Sequence, residues 1–225
     1  MDENGYQPEL RLPRVAVDAV LFTISDKTLK ALLVKIKHGP FAGRWAFPGG
    51  LVRKGEGLDE AARRELCEKT GVVDLYLEQL YTFGEAQRDP TGHTVSVAYF
   101  ALVPPGITTL SQGEKYADVG WTPVHSLPML AYDHNAIADY ALRRLQAKLS
   151  YTNIVYSLLP NEFTLADLQE LYEIILHQPL DRRNFRRKIL TLGLLKPLAK
   201  TRRGAHRPAT LYAFTQRQPM NVEVL

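Results

Sequence analysis

The sequence predicts an α+β protein in two parts, a sandwich-like α/β/α domain over residues 1–149 and a winged helix-turn-helix over residues 150–225. Three observations carry this reading. In the first part, β-rich apolar runs are interspersed with two helical stretches; in the second, the order is helix, short turn, helix, hairpin; and charge is shared unequally between them. Residues 151–225 hold 11 Lys and Arg against 6 Asp and Glu, a net of +5, whereas residues 1–150 hold 17 against 18, a net of −1. Basicity confined to one segment points to a polyanionic partner more strongly than a whole-chain charge of +4 does.

The elements follow in order. VAVDAVLFTI and LKALLVKIK, separated by the turn-like Ser25-Asp26-Lys27, read as two strands of a meander. GRWAFPGG reads as a short strand ending at Pro48-Gly49-Gly50. From Leu58 to Lys69 the β-branched residues disappear: LDEAARRELCEK is rich in strong helix formers, with Asp59 and Glu60 in its first turn and Gly71 past its end. LYLEQLYTF, TVSVAYFALV and DVGWTPV supply further strands, and NAIADYALRRLQAKL a second helix starting beside His134 and capped by Asp133. Beyond Leu149, TLADLQELYEIIL forms a helix capped by Thr164, with Leu165, Leu168, Leu171, Ile174 and Ile175 on one face. After HQPL, DRRNFRRKILTLGLL reads as a second helix capped by Asp181, with Phe185, Ile189 and Leu192 inward. KPLAKTRRGAHRPATLYAF closes the chain as two strands around a basic turn.

Composition narrows the function classes. The single cysteine, Cys67, permits no intramolecular disulfide and no multi-cysteine zinc cluster, which suits a reducing, cytoplasmic compartment. No apolar run approaches the roughly 20 residues of a membrane span, and MDENGYQPELRLPR lacks the pattern of a signal peptide.

The chemistry concentrates at Gly50, Glu56, Arg64, Glu65, Leu66, Glu68, Gly71 and Val72, spaced G-x5-E-x7-R-E-L-x-E-x-x-G-V. A divalent cation held by carboxylates can neutralise anionic oxygens and acidify bound water. Glu65 and Glu68, three apart on a helix, can approach one such ion, and Arg64 is placed to hold Glu56 across the loop. Gly49 and Gly50 allow a sharp bend and close backbone approach. The spacing resembles the Nudix box. That resemblance implies a pocket for nucleoside diphosphates linked to another group, with Mg²⁺ or Mn²⁺ held by the box glutamates and Glu56 with Arg64 as scaffold. The box commonly ends in a second adjacent glutamate, and here that position is Lys69. The ammonium has a favourable i, i+4 relation to Glu65 and repels a divalent ion, so it partly takes the metal's place; alternatively it points to solvent while Glu65, Glu68 and a loop acid such as Glu114 bind metal weakly. Either way, hydrolysis is expected to be weak or absent. Arg88 and Asp89 can hold a phosphate or ribose hydroxyls, or simply cap a turn. Trp45 and Phe47 alternate with Ala46 in a short strand, so one face of that strand is aromatic, for core packing or base stacking.

In the second part, Arg182, Arg183, Asn184, Arg186, Arg187 and Lys188 lie on the second helix, and Arg202, Arg203, His206 and Arg207 in the wing. From Asp181 to Arg207, ten Arg and Lys face one acid. A helix so charged can enter the major groove of double-stranded DNA while the wing follows the backbone or minor groove. The phrases RDPTG, SVAYFAL, FTLADLQELYE, RRNFRRKIL and RRGAHRPATLYAF, together with the Nudix-like box, resemble the NrtR-type Nudix-related transcriptional regulators. That resemblance implies a dimeric bacterial repressor of genes for NAD or related nucleotide and sugar metabolism, with ADP-ribose or a similar nucleotide as effector. It implies a homodimer, which also suits two half-sites. The alternative is a working ADP-ribose pyrophosphatase with an accessory C-terminal module.

Overall fold

The computed structural model describes residues 12–70, 76–106, 116–203, 208–222 and 224, with the side chains of Lys69 and Thr70 outside the description. The first apolar run becomes the long strand β1 (Arg14–Ser25), which turns back into β2 (Thr28–Ile36). Asp26 and Lys27 between them have φ of 51° and 54°, the paired left-handed conformation whose twist suits a two-residue hairpin. The stretch expected as one short strand divides into β3 (Trp45–Ala46) and β4 (Gly49–Leu51). Pro48 lies at the break, without an N–H to donate, while its carbonyl accepts from Ala19 N at 2.8 Å.

After α1 (Leu58–Thr70) come β5 (Leu77–Phe83), β6 (Thr94–Leu102), β7 (Tyr116–Pro123) and α2 (His134–Tyr151). The sheet runs β3-β2-β1-β6-β5, with β4 joined to β1 and β7 to β2. β1 and β6 are parallel, and β1 pairs antiparallel with β4 at Ala16–Asp18 and with β2 at Phe22–Ser25. Alternation along β1 divides its side chains between two helices. Val17, Ala19 and Leu21 pack with Ala61, Ala62 and Leu66 of α1, while Val20 and Phe22 join Ile137, Ala141 and Leu145 of α2. Asp18 belongs to this second face, near the start of α2.

The C-terminal part has α3 (Leu165–Leu176), α4 (Arg182–Thr191), β8 (Leu195–Arg202) and β9 (Ala209–Phe214). Thr164 and Asp167 form a reciprocal capping box, and Asp181 accepts from Asn184 N at 2.8 Å. The second helix stops four residues earlier than the sequence suggests. Gly193, with φ of 67°, ends it, and Leu195 opens β8 instead. Phe163 and Tyr212 exchange backbone hydrogen bonds, adding a bridge to the β8–β9 hairpin.

One apolar cluster runs from Val20 and Phe100 through Ile137 and Leu145 to Leu168, Tyr172, Phe185 and Phe214, so both parts share a core. Lys27 reaches Glu170 at 2.6 Å, Gln146 donates to the Ile175 carbonyl at 3.0 Å, and the His125 and His177 rings lie 4.3 Å apart between centroids. Among the described residues no helix is long and apolar enough to cross a membrane.

Candidate functional site

A cavity of about 350 Å³ opens on the α2 side of β1, walled by Arg14, Ala16 and Asp18, by Phe47, Gly49 and Gly50, by Arg88 and Asp89, and by Tyr132 and His134. Its floor is a buried charge network. Arg88 donates from Nε and Nη2 to Asp133 at 2.9 and 2.6 Å, and its Nη2 lies 3.4 Å from Asp18 Oδ2. Ser96 donates to the same Asp18 oxygen at 2.5 Å. His134 Nδ1 accepts from the Phe47 N–H at 2.9 Å, which puts the ring proton on Nε2, 3.5 Å from Asp18 Oδ1. Burial pushes the Asp18 carboxyl up, but His134, Ser96 and Arg88 outweigh it and hold it at about 2. Gly49 closes over this network: a Cβ there would lie 2.2 Å from Asp18 Oδ1 and 2.5 Å from the Val17 carbonyl, so no larger residue fits without moving β4.

Several expectations change in detail. Asp133 does not cap α2 with its side chain; the carboxylate is turned onto Arg88 instead. Arg88 points into this carboxylate pair rather than standing open for a ligand. Asp89 takes the turn-capping part, accepting from Thr91 N and Oγ1 at 2.9 and 2.7 Å, with Arg14 at 3.2 Å. Phe47 is buried in the core and still walls the cavity, its ring stacked on His134 at 5.6 Å. Asp18, Asp133, His134 and Arg14 are absent from the residues singled out in the sequence as binding effector. A lone acid in the apolar run VAVDAVLF was the signal for Asp18.

On the opposite face of β1, the box residues gather around Arg64. It donates to Glu56 at 2.7 and 3.0 Å, to Glu65 at 2.7 Å, and lies 3.9 Å from Glu68. The Arg64 hydrogen bond and the Arg53 N–H hold the Glu56 carboxyl at about 2. Glu65 is buried and Glu68 half-exposed along its side chain, with Arg53 Nη2 3.8 Å away. Mg²⁺ takes one or two carboxylates and keeps several waters, so Glu65 and Glu68 would form a partial donor set. Among the described residues no third acid, His or Cys completes a cluster. Glu114 and the Lys69 side chain lie outside the described residues.

In the C-terminal part, Phe185 and Ile189 turn into the core, leaving Arg182, Arg183, Asn184, Arg186 and Arg187 exposed and Lys188 half-buried. Arg187 Nη2 donates to Asn184 Oδ1 at 3.0 Å, one turn away. Arg202 differs from its neighbours: it donates to Asp167 at 2.6 Å and Thr164 at 3.2 Å, tying the wing to the capping box of α3. Arg203 is exposed, whereas His206 and Arg207 lie outside the described residues.

The fold and these two faces define a Nudix-type domain joined to a DNA-binding winged helix. The family model described as "NUDIX domain" matches residues 12–145, and that described as "NrtR DNA-binding winged helix domain" matches residues 155–214. The chain belongs to the NrtR family of Nudix-related regulators. It is 36% identical over 207 residues to the ADPR responsive transcriptional repressor NtrR of Acinetobacter baylyi, covering 90% of this chain and 82% of the relative. The crystal structure of Shewanella oneidensis NrtR complexed with a 27mer DNA superimposes with a TM-score of 0.79 at 37% identity, over 89% of this chain and 93% of that one. The Nudix domain of the same protein, complexed with ADP ribose, matches with a TM-score of 0.55 at 40% identity, over 63% of this chain and 94% of that one.

Proposed function

We propose that this protein is a DNA-binding transcriptional repressor whose Nudix-type domain senses ADP-ribose, acting on genes of NAD or related nucleotide metabolism and working as a homodimer in the bacterial cytoplasm. The observation that carries this is the joining, through one core, of a charged cavity to a helix with five exposed polar and basic side chains from Arg182 to Arg187. The exposed arginines suit phosphate contact and guanine recognition, and the relatives named above bind DNA and ADP ribose.

The route between the two faces is α2. Its first residue, His134, and the preceding Asp133 touch the cavity floor, while Gln146, about 18 Å further along at 1.5 Å per residue, bonds α3. A ligand that displaces the start of α2 thus acts on the helix that supports α4. Mobility shifts with DNA upstream of the protein's own operon, with and without ADP-ribose, test this. Binding to that DNA that changes on adding ADP-ribose is expected; failure to bind it at low salt would sink the repressor reading.

A second reading, weak Mg²⁺- or Mn²⁺-dependent hydrolysis of ADP-ribose, is favoured by the gathering of Glu56, Glu65 and Glu68 around Arg64. In that case Glu65 and Glu68 would hold the ion, which supplies charge neutralisation and an acidified water. Arg64 would then keep Glu56 and Glu65 fixed.

A further inference from the structure

A second cavity, of about 440 Å³, lies in the C-terminal part between the first turn of α3, the start of α4 and β9. It shares no lining residue with the Asp18 cavity, and its volume is that of a small-molecule pocket. Its charge is of one sign. Arg182 and Arg186, about one helical turn apart, line it, and no Asp or Glu does. Arg187 and Arg202 are engaged by Asn184 and by Asp167 with Thr164, whereas the guanidinium groups of Arg182 and Arg186 have no hydrogen bond or ion pair among the described residues. Leu165 and Ala166 also face the cavity from the first turn of α3, where N–H groups have no intrahelical acceptor and the helix dipole favours an anion.

Tyr212 makes this more than a basic hollow. It is 8% exposed, and its backbone N–H and carbonyl are bonded to Phe163 at 2.7 and 3.0 Å, so its position is fixed. Its hydroxyl has no hydrogen-bond partner in the fold. Among the described residues no sealed side-chain polar atom lacks a partner, so this hydroxyl opens to accessible space, and the space Tyr212 lines is this cavity. Buried tyrosines usually bond their hydroxyl. Here the ring belongs to the core, where phenylalanine would pack as well, and the hydroxyl is left for a ligand.

We propose that this cavity is a second ligand site, for a small molecule bearing a phosphate monoester, with Tyr212 donating to a phosphate oxygen and Arg182 and Arg186 neutralising the charge. Because both arginines belong to α4, an occupied site competes with DNA. The competition rests on the reading of α4 as the DNA-contacting helix; the site itself does not.

The test uses the full chain, with glycerol 3-phosphate as probe and glycerol as the uncharged control. Calorimetry should show glycerol 3-phosphate binding at about 1 mM or tighter and no binding of glycerol. Tyr212→Phe should weaken the probe about 10-fold or more without lowering Tm, since the hydroxyl makes no bond in the fold. In mobility shifts the probe should displace DNA from wild type at concentrations that leave the Tyr212→Phe complex intact. Equal affinity of wild type and Tyr212→Phe for the probe, or equal binding of glycerol, overturns the site. So does a wild type that does not bind the probe; if Tyr212→Phe then weakens DNA binding, the cavity holds a backbone phosphate of DNA instead. Probe binding that depends on Tyr212, in a chain that binds no DNA at low salt, supports the site and overturns the repressor reading and the competition with it.

Discussion

Asp18→Asn removes the central charge of the cavity floor while keeping its shape. The carboxyl sits at about 2 in the folded protein against an ordinary 3.8. At about 1.36 kcal/mol per pKa unit, the gap corresponds to about 2 kcal/mol. The folded pKa is the depressed one, so this stabilisation is fully present above the unfolded value of 3.8 and disappears as pH falls through about 2. The asparagine variant, which does not titrate, should therefore be less stable than wild type by about 2 kcal/mol at near-neutral pH, or about 4–8 °C in Tm for a chain of this size. The difference should narrow to about half near pH 3 and nearly close near pH 2. Urea unfolding of both proteins across this range measures it. Equal stability near neutrality, or a difference that does not change with pH, would refute the argument that Asp18 is held ionised by His134, Ser96 and Arg88.

Three further outcomes follow from the contacts. Arg187→Ala should weaken DNA binding and lower the slope of log K against log salt by about 1, leaving ADP-ribose binding unchanged; Arg202→Ala, whose guanidinium is already engaged by Asp167 and Thr164, should weaken it less, and titrations at several salt concentrations rank the two. Lys69→Glu should raise Mg²⁺-dependent hydrolysis of ADP-ribose, followed by release of AMP; turnover by wild type equal to that of the variant would count against the lysine as a brake. Joint replacement of Gln146 and Glu170 by alanine removes contacts between the two parts and should shrink the change in DNA affinity caused by ADP-ribose, an effect of typical coupling size being about 5- to 150-fold. Undiminished coupling in mobility shifts would place the route elsewhere.

The periodic elements were legible in the sequence because their apolar spacing is local. β1, α1, α2 and α3 lie where alternation or helical spacing puts them, and the capping residues Thr164 and Asp181 do as their side-chain chemistry suggests. The end of α4 was less legible: Leu192, Leu194 and Leu195 continue an apolar helical pattern, and only the positive φ of Gly193 turns the chain into β8. The cavity was the least legible part, since it is assembled from residues as far apart as Asp18, Phe47, Arg88 and His134. Arg88 and Asp133 each carry a local explanation, as phosphate ligand and helix cap, and the contact that turns Asp133 away from the cap reaches Arg88, 45 residues away.

That same pairing bears on how the cavity can bind an anion. Arg88 is matched by two carboxylates, the buried Asp18 and the partly buried Asp133, so the floor carries no spare positive charge. A diphosphate placed directly upon it would face Asp18 at close range in a poorly hydrated site, where repulsion between like charges is strong. Phosphates are thus better accommodated toward Arg14, or toward the loop where Leu51 leads to Arg64, than over the Arg88 network. This assigns the network a mechanical part: it fastens β1, the Arg88 turn and the first turn of α2 into one unit. A ligand bound against that unit acts on α2 as a whole, and α2 in turn packs on α3. Because packed helices shift between discrete arrangements more readily than they deform, a small displacement at Asp133 and His134 can reach α4, the helix proposed to contact DNA, as a change of orientation, without any direct contact between effector and arginine.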